Sequence, residues 1–143
     1  MEMAGAAVIV PAVSVTKRMC RFNRKAARLR IFEIGRVFLR DATQTEGPVA
    51  VAGIRQPVRI GMLAHGHAFD DQWGAAARHA DFFDLKGDVE AIFGRAGLSF
   101  TPGQCPALHP GRSARVELDG TPIGWIGALH PALQQSLDLP TPP

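Results

Sequence analysis

A chain of 143 residues with a net charge of +3, 46% hydrophobic and 20% charged residues has the make-up of one globular domain with its own core. No apolar run approaches the length of a membrane span, and residues 4–15 carry no basic flank and contain Pro11, so neither a membrane protein nor a signal peptide is expected. Two widely separated cysteines, Cys20 and Cys105, exclude a disulfide framework or zinc knuckle and read as reduced thiols in a cytoplasmic protein.

Charge is unevenly spread. Nine of the sixteen basic residues fall within 17–40, where Glu33 is the only acid, whereas 70–90 hold six acids against Arg78 and Lys86. Residues 4–27 begin apolar and turn basic. From Val13 onward, Val13, Met19, Cys20 and Phe22 can line one side of a short helix, with basic residues around the rest. Lys17, Arg18, Arg21, Arg24 and Lys25 are candidates for contact with RNA or an acidic partner. A solvated helix face explains them as well, because no aromatic side chains interleave the run for base stacking.

Residues 28–40 are rich in β-formers. Phe32, Ile34 and Phe38 share a parity, which predicts a strand with these three in the core and an irregularity at Gly35. Residues 41–48 form a polar, flexible loop, 49–54 a short edge piece, and 57–64 a second strand. Residues 70–79 read as a loop or short helix around Trp73. Asp81 then caps a helix whose apolar residues Phe82, Leu85, Val89, Ile92 and Phe93 recur at three- and four-residue steps. Phe82, Phe83, Leu85 and Val89 are the expected packing residues. Gly87, which costs about 1 kcal/mol relative to Ala in a helix, implies close packing at that turn. Gly94 or Gly97 ends the helix, and 98–101 make a brief strand.

Residues 107–131 open and close on Ala-Leu-His-Pro, with Asp119-Gly120 between. That dipeptide tolerates the positive φ of a two-residue hairpin turn. Gly124 and Gly127 in the return arm predict a bulge or a second backbone passing close by. Pro131 opens a last short helix over 132–137. Strands adjacent in sequence with one long helix inserted predict an α+β fold: an antiparallel sheet flanked by helices, in a single domain.

The candidate chemistry is thin. His65 and His67 would share a strand face, but no third ligand stands at a metal-site spacing. Asp81, Asp84, Asp88 and Glu90 are accounted for by capping and a solvated helix side. His109 and His130 each precede proline, have no adjacent nucleophile, and read as extended anchors at the ends of the hairpin. No glycine loop of the Walker or dinucleotide type is present.

Several strings resemble one family. Asn23-Arg24, Arg30-Ile31-Phe32-Glu33-Ile34-Gly35-Arg36-Val37-Phe38 and Asp81-Phe82-Phe83-Asp84-Leu85-Lys86-Gly87-Asp88-Val89-Glu90 are similar to the β subunit of bacterial phenylalanyl-tRNA synthetase. So are Leu108-His109-Pro110-Gly111-Arg112-Ser113-Ala114, Ile123-Gly124-Trp125-Ile126-Gly127 and Leu129-His130-Pro131, in the family's order. The resemblance implies a class II synthetase-like module that has lost its active site and packs against a catalytic α subunit in an (αβ)2 assembly. In that assembly α uses ATP and Mg²⁺ to charge tRNA. It further implies no cofactor or metal on this chain, no catalytic residue, and no catalytic role for Arg36, although Arg36 lies where the family's strand resembles the ATP-gripping motif. Arg112, Arg115 and Trp125 are candidate partner-facing residues, since Arg and Trp are over-represented among interface anchors. Residues 1–12 do not share the resemblance and are expected to be disordered or non-native.

Overall fold

The computed structural model describes residues 28–48, 50–70, 72–74 and 76–136, together with the backbone of 6–9. Six strands form one sheet: β1 (Ala6–Ile9), β2 (Arg28–Arg36), β5 (Val58–Gly66), β6 (Leu98–Pro102), β7 (Leu108–Leu118) and β8 (Thr121–Leu129). Their order is β2-β5-β1-β8-β7-β6, and every neighbouring pair is antiparallel. β3 (Leu39–Arg40) and β4 (Ile54–Arg55) make a separate two-stranded sheet. Helices α1 (Phe82–Phe93) and α2 (Pro131–Ser136) complete the described fold, which is α+β with an antiparallel sheet.

The centre of the sheet differs from expectation. Ala6–Ile9, within the segment expected to be disordered or non-native, is β1 and pairs on both sides: Ala6 with Ala64 and Ala128, Ile9 with Gly61 and Trp125. β2 pairs with β5 along its whole length, and the ladder runs straight through Gly35↔Arg59 instead of breaking there. The strand stops at Arg36, and β3 begins at Leu39 after a short interruption. The polar loop is organised by Asp41, whose carboxylate accepts from the Thr43 amide at 3.1 Å and hydroxyl at 2.6 Å. Those two bonds hold its carboxyl below the usual range.

The hairpin follows its turn chemistry. Asp119 and Gly120 have φ of 49° and 74°, as a primed two-residue turn requires. Register shifts interrupt β7·β8 between Leu108 and Ser113 and between Val116 and Glu117. At the first shift the Arg112 carbonyl and Ser113 backbone pass so close to Gly127 that a Cβ there would collide with both. The two ends of the hairpin meet at Leu108↔Leu129, and the His130 amide donates to the Ala107 carbonyl at 3.0 Å. The His130 imidazole accepts from the Ala132 amide at 3.2 Å, at the start of α2.

α1 starts where its cap dictates. The Asp81 carboxylate accepts from the Phe83 and Asp84 amides at 2.8 and 3.1 Å, and Asp84 returns a bond by accepting from the Asp81 amide at 2.8 Å. Arg78 grips Asp84 with two 2.7 Å bonds. First the Arg78 fork, opposed by burial, and then the Asp81 amide hold the Asp84 carboxyl down at about 2. Gly94, at φ 80°, ends the helix.

α1 lies across β1 and β8. Beneath it Leu85, Val89, Ala64, Ala114, Val116 and Ile126 form the larger core cluster, with Phe82 half-buried against them. Leu63, Leu108 and Leu129 make a second cluster, with Ile31, Cys105 and Trp125 packed on it. Four expected core residues are not in either. Phe32 and Ile34 are 69% and 60% exposed, because α1 sits over the middle of the sheet and leaves that face of β2 open, and Phe38, 69% exposed, lies beyond the end of the strand at Arg36. Phe83 is exposed because it stands one position off the Phe82–Leu85–Val89 stripe, its ring meeting Phe82 edge-on.

Gly87 also departs from expectation: a Cβ there would meet nothing within 4 Å. Gly87→Ala therefore stabilises the domain, by about 0.5–1 kcal/mol, through helix propensity and a less flexible unfolded chain, measurable by urea denaturation. The depressed Asp84 carboxyl contributes stability that is complete above the ordinary carboxylate range and drains away as pH falls towards 2. Asp84→Asn lowers stability at neutral pH by about 1–3 kcal/mol and flattens the fall in melting temperature between about pH 4 and 2. An unchanged acid profile in that variant contradicts this role.

Candidate functional site

Beside α1, above β2 and β5, a groove of about 330 Å³ remains open. Phe32 of β2, Met62 of β5 and Leu85, Ala91 and Ile92 of α1 line it. The pairing Phe32↔Met62 and Arg30↔Ala64 puts these strand residues on the helix side of the sheet, and three- to four-residue steps bring Leu85 and Ile92 to meet them. Arg30 Nη1 reaches both oxygens of Asp88 at 3.3 Å, tying the edge strand to the helix at the rim. On the same face of the β2·β5 ladder Ile34 and Val58 are exposed too, and beyond the end of β2 so are Phe38 and Leu39. Contiguous exposed apolar surface beside a polar rim is the ordinary mark of a protein-docking face.

The groove offers contact surface and no reactive group. Among the described residues that line it, the ionisable ones, Arg30 and Asp88, are paired with each other. Among the described residues no group of three or more His, Cys, Asp or Glu is placed to hold a metal ion. His67 meets His79 edge-on at 5.3 Å, across the bridge that closes the loop after β5. Burial, and secondarily His79, lowers the pKa of His65 and keeps that imidazole neutral near pH 7. The same loop is held by Arg28 to Asp70 at 3.0 Å, with Phe69 under the Arg78 guanidinium and Trp73 fully exposed.

The sequence-derived partner residues lie elsewhere. Arg115 and Trp125 are direct cross-strand neighbours on the β7·β8 hairpin. Arg115 pairs with Glu117 at 2.7 Å. Trp125 is half-buried on the second core cluster, and its ring lies so near Gly103 that a Cβ there would sit 2.8 Å away. Arg112 stands apart from this pair, in the register shift between Leu108 and Ser113. Lys17, Arg18, Arg21, Arg24 and Lys25, the candidate RNA contacts, lie outside the described residues. Arg36 is exposed at the end of β2, opposite Val58.

What sequence reasoning missed was the groove. The signal was present in the shared parity of Phe32 and Ile34 and in Ile92 at the end of the helix stripe. Alternation shows which residues share a face, however, and not whether anything covers it.

Comparison with known proteins shows what the chain is similar to. The β subunit of phenylalanine–tRNA ligase from Burkholderia lata is 55% identical over 121 residues, 85% of this chain and 15% of the relative. That of Bordetella pertussis is 54% identical over 119 residues, 82% of this chain and 15% of the relative. That of Ralstonia nicotianae is 54% identical over 121 residues, with the same 85% and 15% coverage as the first. The chain thus spans about 15% of the length of the curated relatives it matches. Residues 20–143 match the family model of the phenylalanyl tRNA synthetase beta chain CLM domain, and with most of its length inside that match the chain belongs to this family.

Proposed function

We propose that this chain is a non-catalytic module of a phenylalanine–tRNA ligase β subunit, class II synthetase-like in fold, that scaffolds the catalytic α subunit. In this reading the module works in the cytoplasm as part of an (αβ)2 assembly, and α carries out the ATP- and Mg²⁺-dependent charging of tRNA with phenylalanine. Support comes from family membership together with one physical observation: Phe32, exposed in the groove beside α1, has exposed Ile34 next to it on the same face of β2. A face this apolar is stable in water only at the cost of hydrophobic surface that a partner would cover. The residues around it supply contact area and an internally paired ion pair, which suits a scaffold better than an active site.

Docking through this face assigns the binding anchors to Phe32, Ile34 and Ile92; Arg112, Arg115 and Trp125 form no part of it. RNA contact through the basic run is less favoured, since Arg28 and Arg30, its nearest described members, are engaged with Asp70 and Asp88.

The test is binding to the α subunit of a relative's ligase. Phe32→Asp with Ile34→Asp is expected to weaken binding by at least about 30-fold, the effect of losing a hot spot of about 2 kcal/mol. The melting temperature of the variant should stay within a few degrees of the parent, because both side chains are already exposed. The chain alone should show only background phenylalanine-dependent ATP–pyrophosphate exchange. Unchanged α binding in the double variant would refute the docking face, and exchange above background would refute the non-catalytic reading.

A further inference from the structure

The strand at the centre of the sheet comes from outside the part of the chain that matches the family. The match begins at residue 20, whereas β1 is Ala6–Ile9. Among the described residues β1 is the strand that joins two blocks of the sheet, β2-β5 on one side and β8-β7-β6 on the other. It runs antiparallel to both of its neighbours, so β5 and β8 run parallel to each other. The slot between them is deep. Gly61, Leu63 and Ala64 of β5 and Ile126, Gly127 and Ala128 of β8 are all buried.

An empty slot of this kind is not tolerable. Each buried backbone group left without a partner costs about 1–3 kcal/mol, and several would be stranded along both walls, against about 5–15 kcal/mol of net stability for a whole domain. Direct closure would require β5 and β8 to pair as parallel strands and would displace α1, which rests on β1 and β8 together. The slot therefore demands a strand, and its walls set the terms. The occupant must be extended, about four residues long, and antiparallel to both walls. Glycine and alanine at Gly61, Ala64, Gly127 and Ala128 leave an apolar channel that favours uncharged side chains.

We propose that the β5–β8 slot is a strand-acceptor site, with Ala6–Ile9 as its ligand in cis, and that it takes the same segment as a separate peptide when β1 is withdrawn. Recognition rests on main-chain ladders on both edges, a doubled form of strand addition to a sheet. The inference does not depend on the α-docking reading, since it rests on the backbone ladders of β5 and β8 and docking rests on exposed side chains of β2 and α1.

The test uses the full chain with Val8→Pro, because a proline inside a doubly paired strand removes a ladder donor and is excluded from central strands. A labelled peptide of residues 4–11 is expected to bind this variant saturably at one per chain. It should bind the parent, whose slot is filled, at least about tenfold more weakly, a difference of about 1.4 kcal/mol. The same peptide with proline in place of Val8 should bind neither. Equal binding to parent and variant, or none to a folded variant, overturns the proposal. Should Val8→Pro fail to fold, amide hydrogen exchange of the parent decides. Protection of residues 7–9 comparable with that of 125–128 is expected, and free exchange at 7–9 while the β7·β8 hairpin stays protected overturns it.

Discussion

The fold depends on a double backbone ladder. β1 pairs with β5 through Ala6↔Ala64 to Ile9↔Gly61 and with β8 through Ala6↔Ala128 to Ile9↔Trp125. Everything else is arranged around that junction. β5 carries the edge strand β2 along a full nine-residue ladder, β8 carries β7 and β6, and α1 lies over the seam. The larger core cluster draws Ala64 from one side of the junction and Ala114, Val116 and Ile126 from the other, with Leu85 and Val89 of α1 closing over them. Side-chain burial and main-chain pairing thus reinforce each other across the same line, which is the arrangement that makes a small sheet cooperative.

The placement of α1 also explains the surface. α1 has twelve residues and rests on the middle of the six-stranded sheet, over β1 and β8. The cost falls on β2, whose helix-side residues Phe32, in the open groove, and Ile34 stay exposed. The Arg30–Asp88 pair holds strand and helix at a fixed spacing but is half-exposed, so it positions the groove more than it stabilises the domain. The result is an apolar face kept in shape by the core beside it.

Much of this architecture was legible in the residues, where local chemistry decides it. α1 starts at Asp81 because a carboxylate there satisfies orphan amides, and the three- and four-residue stepping of Phe82, Leu85 and Val89 announces its buried face. The hairpin turn was legible because Asp119-Gly120 accepts positive φ, and the demand for glycine at 127 because a neighbouring backbone must pass there. The features that escaped depend on distant partners. β1 is a short apolar run without alternation, and nothing local says that its pairing strands lie far along the chain. Phe32, Ile34 and Phe38 alternate as a buried face would, yet burial is a property of what lies above them. Gly87 looked like a packing site and is open to solvent, because a helix glycine by itself does not distinguish close contact from mere tolerance.

The register of β1 is the central claim, and a cross-strand disulfide tests it most directly. Directly opposed residues of an antiparallel pair have Cα atoms about 4.5–5.5 Å apart, within the span of a disulfide. In a background of Cys20→Ser and Cys105→Ser, Ala6→Cys with Ala128→Cys should form an intramolecular bond on mild oxidation, because the register sets Ala6 against Ala128. The oxidised chain should melt higher than its reduced form. Failure of the pair to cross-link within the folded monomer, while Ala6→Cys links readily to cysteines placed elsewhere on the surface, would show that the sheet is not held together by this strand.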